Sequence, residues 1–127
     1  MQAAGLSEHG MIMTEPLGYL EFLRLISEAR LVLTDSGGIQ EETTILQVAC
    51  LTMRENTERP ITIAQGTNRL VGTDPKRILQ AALNSLGSPP QSLAPPELWD
   101  GKASGRILDT IELNFSYLER LPRVAAA

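Results

Sequence analysis

Short apolar runs that alternate with segments of helical periodicity constrain the fold of this chain more than any other feature. Runs such as LVLT (31–34) and ACLTM (49–53) lack the polar alternation of a half-exposed strand and are too short for a buried helix. Strands that are apolar on both faces are typical of a parallel sheet covered by helices. The pattern therefore predicts an α/β fold with a Rossmann-like parallel sheet and flanking helices.

The predicted elements alternate along most of the chain, which favours right-handed crossovers between parallel strands. Apolar residues recur with helical spacing after Pro16 and mark an amphipathic helix. Asp74 is the expected N-cap of a later helix and Pro75 its first residue. Strands are predicted at residues 11–14, 31–34, 49–53 and 69–72, and helices at residues 19–29, 37–47, 74–86 and 105–119.

The segment TDSGG (34–38) ends the second predicted strand and opens a helix. In sheets of this class, ligands bind beyond the carboxyl ends of the strands. Gly37 and Gly38 lack Cβ atoms, so an anion can approach the backbone closely. The first N–H groups of the helix have no internal acceptor and suit a phosphate or diphosphate. Ser36 is expected to cap this helix or to donate its hydroxyl to the ligand.

Glu42 lies one helical turn after Gly38, on the same face. Its carboxylate would repel a phosphate at contact distance, so a neutral diol such as that of ribose is its natural partner. The residues alone leave a simpler interpretation open, in which Asp35 or Ser36 is an ordinary N-cap and the glutamates favour the helix N-terminus.

RENTERP (54–60) follows the third predicted strand and therefore leaves the sheet at the same edge. Arg54 and Arg59 are its two cations, and arginine binds phosphate bidentately. The alternative is a solvated loop whose arginines pair locally with Glu55 and Glu58.

Charge and composition exclude several classes of function. A net charge of −4 offers no general field for nucleic acid, so anion binding must be local. The single cysteine, Cys50, excludes an internal disulfide and suits a reducing cytoplasm. No apolar run reaches the roughly 18 residues of a membrane span, and the first ten residues do not resemble a signal peptide. We therefore expect a cytoplasmic protein with neither nucleic-acid nor membrane partners.

Three segments closely resemble the C-terminal portion of bacterial non-hydrolysing UDP-N-acetylglucosamine 2-epimerases. They begin with EPLGYLEFLRLISEARLVLTDSGGIQEETTIL, continue with LTMRENTERPITIAQGTNRLVG and end with LWDGKASGRI. That family has the two-domain glycosyltransferase-B fold, with the active site in the cleft between two Rossmann-like domains. The resemblance implies that residues 1–127 are a partial UDP-binding C-terminal domain, without the N-terminal domain and the first strands of the C-terminal one.

The resemblance also implies a UDP-sugar site. Ser36, Gly37 and Gly38 are expected to hold the diphosphate, and Glu42 the ribose hydroxyls.

Two further residues join the site only through the resemblance. Phe22, which helical spacing alone assigns to core packing, is expected in the uracil pocket. Arg59 matches the arginine of an E-R-P segment that contacts the nucleotide sugar.

The family interconverts UDP-N-acetylglucosamine and UDP-N-acetylmannosamine, in polysaccharide biosynthesis, by anti elimination of UDP to a 2-acetamidoglucal and its re-addition. No metal or redox cofactor is implied. The family's catalytic carboxylates and histidine lie in segments that this sequence does not contain, so we assign no catalytic residue and expect the chain alone not to epimerise. A homodimer or a complementing N-terminal half is the expected partner, and self-association is expected if the sheet edge is uncovered.

Two alternatives are a UDP-binding module or inert remnant, and half of a glycosyltransferase of the same fold, although RENTERP favours the epimerase. The sequence also departs from the family's L-G-x-P pattern. Gln47 stands where glycine would end the helix, and Ala49 where proline would follow. Glutamine in a left-handed position costs about 1 kcal/mol, so the turn is expected to survive with some strain.

Overall fold

The computed structural model describes residues 10–89 and 93–118, and the chain divides into two compact units between Ala94 and Pro95. Among the described residues, the first unit contains the sheet and four helices, and the second contains one further helix. The elements are α1 (Tyr19–Glu28), β1 (Val32–Thr34), α2 (Gly37–Leu46), β2 (Cys50–Thr52), α3 (Pro60–Ala64), β3 (Asn68–Leu70), α4 (Pro75–Gly87) and α5 (Ala103–Leu118).

The three strands form a parallel sheet in the order β1-β2-β3, which confirms the predicted α/β class. Thr34 lies opposite Thr52, and Thr52 lies opposite Leu70, so the strands end in register. The loops that follow β1 and β2 therefore leave the same edge of the sheet. This alignment places TDSGG and RENTERP side by side, as the sequence predicts.

The buried strand predicted at residues 11–14 is wrong. This segment has only an isolated bridge residue at Ile12, and its apolar side chains are exposed, to 70% at Met13. An apolar run becomes a buried strand only where a neighbouring strand pairs along it and a second layer covers it. Neither condition can be read from the run itself.

The interior is half polar. Among the described residues, five apolar residues are buried, and six uncharged polar residues are buried beside them. The buried apolar residues are Ile26, Val48, Cys50, Leu51 and Val71, and the buried polar ones are Gln40, Thr43, Thr44, Thr52, Thr62 and Asn68. Buried polar groups must be hydrogen-bonded, so side-chain hydrogen bonds hold this unit together as much as apolar packing does.

Helix α1 has the predicted amphipathic spacing, yet Ile26 is its one buried residue. Leu20 is 76% exposed and Leu25 is also exposed. Leu33 on β1, at one edge of the sheet, is exposed as well. The described part of the chain thus presents apolar surface on α1 and on the edge strand β1.

Two helix ends follow the sequence predictions. The Asp74 carboxylate accepts a hydrogen bond from the Lys76 N–H at 3.0 Å, and Pro75 is the first residue of α4. Gln47 ends α2 in the left-handed region, with φ 58° and ψ 32°. Its side chain offsets part of the strain, because Nε2 donates to the Thr44 carbonyl at 2.7 Å and Oε1 accepts from the Leu93 N–H at 2.7 Å.

The second unit contains α5, which begins two residues before the predicted position. Arg106 lies in its first turn and donates to the Asp100 carboxylate at 3.0 Å. This pairing, with the Lys102 N–H, lowers the pKa of Asp100 to about 2. Both side chains are partly exposed, and ion pairs of this kind contribute little to stability.

Candidate functional site

The loop between β1 and α2 begins with a hydrogen bond from the Ser36 N–H to the Thr34 hydroxyl at 3.0 Å. Ser36 is extended, with φ −84° and ψ 133°, and occupies the N-cap position of α2. Its hydroxyl makes no cap hydrogen bond. Ser36 is therefore at the predicted N-cap position, but its hydroxyl does not cap the helix. The hydroxyl can bind another group, and the first amides of α2 receive no hydrogen bond from it.

Gly37 and Gly38 begin the helix in an open space. A Cβ atom at Gly37 would meet nothing within 4 Å, and one at Gly38 would meet only the Ser36 Oγ at 3.9 Å. Neither glycine has a positive φ. Neither the turn nor the packing of the described residues requires glycine here. What remains is close access for a ligand to the backbone amides.

Glu42 lies one turn further along α2 and is half-buried. Its Oε2 atom is shielded from solvent and has no hydrogen-bond partner among the residues that the structure describes. A buried carboxylate oxygen without a donor is costly. The atom is therefore ready to accept a hydrogen bond from a hydroxyl group brought by a ligand.

Arg59 belongs to the second loop and is the N-cap residue of α3. Its Nε lies 2.8 Å from Glu41 Oε1 on α2. The same Nε makes no aligned hydrogen bond, so the contact is an electrostatic one. This contact places the Arg59 guanidinium beside α2, the helix that follows the first loop.

Arg54 behaves differently and follows the local-pair alternative. It pairs with Glu58 within the loop at 3.1 Å. The pKa of Glu58 is lowered, first by a hydrogen bond from its own backbone and then by Arg54. Of the two loop arginines, Arg59 is the one that the structure joins to α2.

Phe22 lies on α1, which packs against α2. Its side chain is 37% exposed, so it is neither a core residue nor a fully solvated one. Its place in a base pocket stays a prediction.

Sequence reasoning missed a buried polar cluster beneath the site. Gln40, which is fully buried, accepts hydrogen bonds from Thr57 Oγ1 at 2.6 Å and from Asn68 Nδ2 at 3.0 Å. A signal was available, because Gln40, Thr43 and Thr44 occupy one helix face at spacings of three and four. Polar residues on a face that packs against a sheet indicate a hydrogen-bond network.

A cavity of about 710 Å³ lies elsewhere, at the start of the strands. Ala49, Cys50 and Thr67 line it together with residues at the C-terminal end of α4. Burial raises the pKa of the Cys50 thiol, although hydrogen bonds with Thr43 and Thr52 oppose that rise. Cys50 is thus a small buried side chain and not a reactive thiol.

The sequence matches the UDP-N-acetylglucosamine 2-epimerase family over residues 2–112. The chain belongs to this family. The predicted resemblance is therefore confirmed, and the matched range includes both loops of the candidate site.

Known UDP-N-acetylglucosamine 2-epimerases are similar to this chain in sequence and in structure. The enzyme of Methanococcus maripaludis is 51% identical over 82 residues, or 65% of this chain and 22% of that protein. The Escherichia coli K12 enzyme is 43% identical over 108 residues, or 82% of this chain and 29% of that protein. The crystal structure of the Methanocaldococcus jannaschii enzyme, in complex with UDP-GlcNAc and UDP, aligns with a TM-score of 0.74 at 42% identity, over 84% of this chain and 29% of that one.

This chain therefore spans between a fifth and a third of the length of these relatives. Its parallel sheet with flanking helices corresponds to that share of their glycosyltransferase-B fold.

The described residues contain neither a membrane-spanning helix nor a cluster of metal ligands. None of their helices has the length and apolar character needed to cross a membrane. No three histidine, cysteine, aspartate or glutamate side chains of the described part lie together where they would hold a metal ion.

Proposed function

We propose that this chain is the nucleotide-sugar-binding part of a UDP-N-acetylglucosamine 2-epimerase, a partial C-terminal domain whose site lies at the N-terminus of α2. The observation that carries the proposal is the pairing of two features on one helix. The first turn is open at Gly37 and Gly38, and one turn later the Glu42 Oε2 atom is buried without a partner. A diphosphate next to a ribose has the matching chemistry.

The roles divide according to charge. The first amides of α2 and the Ser36 hydroxyl donate to the diphosphate, where the helix dipole favours negative charge. Glu42 accepts hydrogen bonds from the ribose hydroxyls, which are neutral and can lie close to a carboxylate. The diphosphate and the ribose are neighbouring groups in UDP, and Gly38 and Glu42 lie one turn apart on the same face of α2.

Arg59 and Phe22 complete the site. Arg59 gives the site a cation beside α2, and a guanidinium can bind phosphate oxygens bidentately. Phe22 has an exposed part of its ring on the neighbouring helix, where it can contact a base. No nucleic acid or membrane partner is part of the proposal.

The chemistry on the sugar is assigned to the rest of the epimerase. Inversion at C2 needs acid–base groups placed at that carbon. In the family they lie in segments that this sequence does not contain, so we propose that this chain binds UDP-N-acetylglucosamine without epimerising it. The proposed setting is the cytoplasm, in polysaccharide biosynthesis.

Titration calorimetry with UDP and UDP-N-acetylglucosamine tests the binding, and a turnover assay on the purified chain tests the catalytic assignment. We expect binding at micromolar concentration and no UDP-N-acetylmannosamine. Absence of UDP binding would contradict the proposed site and favour an inert remnant. Turnover by the purified chain would contradict the division of labour but not the site.

A partner is proposed because described residues on α1 and on the edge strand β1 expose apolar side chains. Leu33 on β1 and Leu20 on α1 are both exposed. A complementing N-terminal half or a second copy of the chain would cover such surface. Light scattering of the purified chain is expected to show self-association, and a monodisperse monomer would count against this partner proposal.

A further inference from the structure

We propose that Gln40, Thr57, Thr62 and Asn68 form a positioning ring that fixes the main chain of Arg59, so that its guanidinium is held for the diphosphate part of a bound UDP-sugar. This inference rests on the proposed function, since it gives a role to residues around the same site. It concerns side chains that do not themselves touch the ligand.

The ring begins at the carbonyl oxygen of the Gln40 side chain. This atom accepts from Thr57 Oγ1 at 2.6 Å. Thr57 Oγ1 in turn accepts from the Arg59 N–H at 3.0 Å. Two short hydrogen bonds therefore connect α2 to the amide side of Arg59.

The ring closes through the carbonyl side of Arg59. The Arg59 carbonyl accepts from the Thr62 hydroxyl at 2.7 Å and from the Thr62 N–H at 3.0 Å. Thr62 Oγ1 accepts from Asn68 Nδ2 at 3.2 Å, and the same nitrogen donates to Gln40 Oε1 at 3.0 Å. Both main-chain polar groups of Arg59 are thus held by one closed circuit.

The circuit is anchored in the sheet, and its members are buried except for Thr57, which is partly exposed. Asn68 Oδ1 accepts from Thr52 Oγ1 at 2.6 Å, which ties β3 to β2 inside the ring. Gln40 and Thr62 are fully buried, and Asn68 is 5% exposed. Hydrogen bonds at low dielectric are strong, and connected ones reinforce each other. The ring therefore gives Arg59 a fixed place relative to α2.

Two observations favour positioning over simple packing. Arg59 has φ −120° and ψ 57°, outside regular helix or strand, so its conformation depends on its surroundings. Gln40 Nε2 is buried without a partner among the described residues. A leucine would fill a similar volume without an orphaned N–H group, so the glutamine side chain is explained by its acceptor oxygen.

A double-mutant cycle with Thr57→Val and Arg59→Ala tests the proposal, with UDP affinity measured by titration calorimetry. Arg59→Ala removes a charge-assisted contact, and we expect about a tenfold loss of affinity. Thr57→Val is expected to weaken UDP binding about fivefold in the natural chain and not to weaken it further in the Arg59→Ala chain. Thr57→Ser, which keeps the hydroxyl, is expected to restore affinity.

The matched control is Thr67→Val. Thr67 Oγ1 is also buried, but it has no hydrogen-bond partner among the described residues. The substitution removes a hydroxyl of the same kind outside the ring. UDP affinity is expected to stay unchanged, and a loss equal to that of Thr57→Val would overturn the proposal.

The outcomes separate this proposal from the function on which it rests. If Thr57→Val weakens UDP binding equally in both backgrounds, Thr57 acts independently of Arg59 and the positioning role is overturned while the site stands. If the natural chain binds no UDP, the proposed function and the ring's role fail together.

Amide hydrogen exchange on the natural chain gives a readout that does not depend on the folding of any variant. The Arg59 amide is expected to exchange slowly despite its place in a loop, at a rate like that of β2 amides. Exchange as fast as that of exposed loop amides would overturn the ring.

Discussion

Glycines near the two ends of α2 differ in whether the fold requires them: Gly66 faces Thr44 near its C-terminal end, and Gly37 and Gly38 begin the helix. A Cβ atom at Gly66 would collide with the Thr44 hydroxyl and the Thr62 carbonyl. A Cβ atom at Gly37 or Gly38 would enter open space. Gly66 is required by packing against α2, whereas Gly37 and Gly38 are not required by the fold that the structure describes. At a helix N-terminus on the carboxyl edge of the sheet, such glycines leave the backbone amides accessible to a ligand.

The largest expected effect is that of Gly66→Ala. Overpacking against a main-chain carbonyl and a fully buried threonine cannot be relieved by moving a flexible side chain. We expect a loss of about 3 kcal/mol in the free energy of unfolding, or failure to fold. Thermal denaturation measures it, with Gly87→Ala as the control because a Cβ atom there meets nothing within 4 Å. Equal melting temperatures for the two variants would contradict this half of the comparison.

Gly38→Ala tests whether the glycines that begin α2 serve a ligand and not the fold. Alanine favours helix over glycine by about 1 kcal/mol, so the melting temperature is expected to stay or rise. In the proposed site the new methyl group would stand where the diphosphate approaches, and UDP affinity is expected to fall about tenfold. Calorimetry and thermal denaturation on the same sample separate the two effects. An unchanged affinity would show that Gly38 is not at the ligand.

Glu42→Gln tests whether the carboxylate one turn further along α2 binds the ribose. The amide keeps the shape of the carboxylate but is a weaker acceptor for the ribose hydroxyls, so UDP affinity is expected to fall about fivefold. Stability is expected to stay or rise, because the carboxylate oxygen that is buried has no partner to lose among the described residues. Calorimetry with UDP measures the loss.

Glu112→Gln, an exposed substitution on α5, is the control for Glu42→Gln and is expected to change neither quantity. A destabilised Glu42→Gln variant with normal UDP affinity would assign Glu42 to the fold instead of the site.

Glu41→Gln is expected to have the smallest effect. Glu41 lies 2.8 Å from the Arg59 guanidinium at a partly exposed position, and such pairs contribute about 0–1 kcal/mol. We expect UDP affinity to change by less than about threefold, since the ring fixes the main chain of Arg59 and the ion pair does not. A tenfold loss in calorimetry would transfer the positioning role from the ring to Glu41.

Much of the fold could be predicted from local signals. Asp74 and Pro75 fix the start of α4 through local capping, and LVLT and CLT are strands in a parallel sheet. The run at residues 11–14 has the same apolar character but forms no strand of the sheet. Its outcome depends on whether another strand pairs with it, which is a property of distant parts of a chain.

The candidate site was also predictable only in part from local signals. Spacing alone places Gly37, Gly38 and Glu42 on one helix end, because a helix has a fixed period. The closed circuit through Gln40 and Asn68 joins residues 28 positions apart, and no local pattern specifies such a contact.

By itself, the sequence determined the α/β class, the helix end that faces the carboxyl edge of the sheet, and the family resemblance. These follow from periodicity, glycine chemistry and motif order, all of which are local or ordered along the chain. Tertiary structure alone decided which residues are buried, which of the two loop arginines meets α2, and that polar side chains hydrogen-bond the main chain of Arg59. The physical reason is that burial and hydrogen-bond pairing depend on what lies opposite a residue, and only the folded chain defines that neighbour.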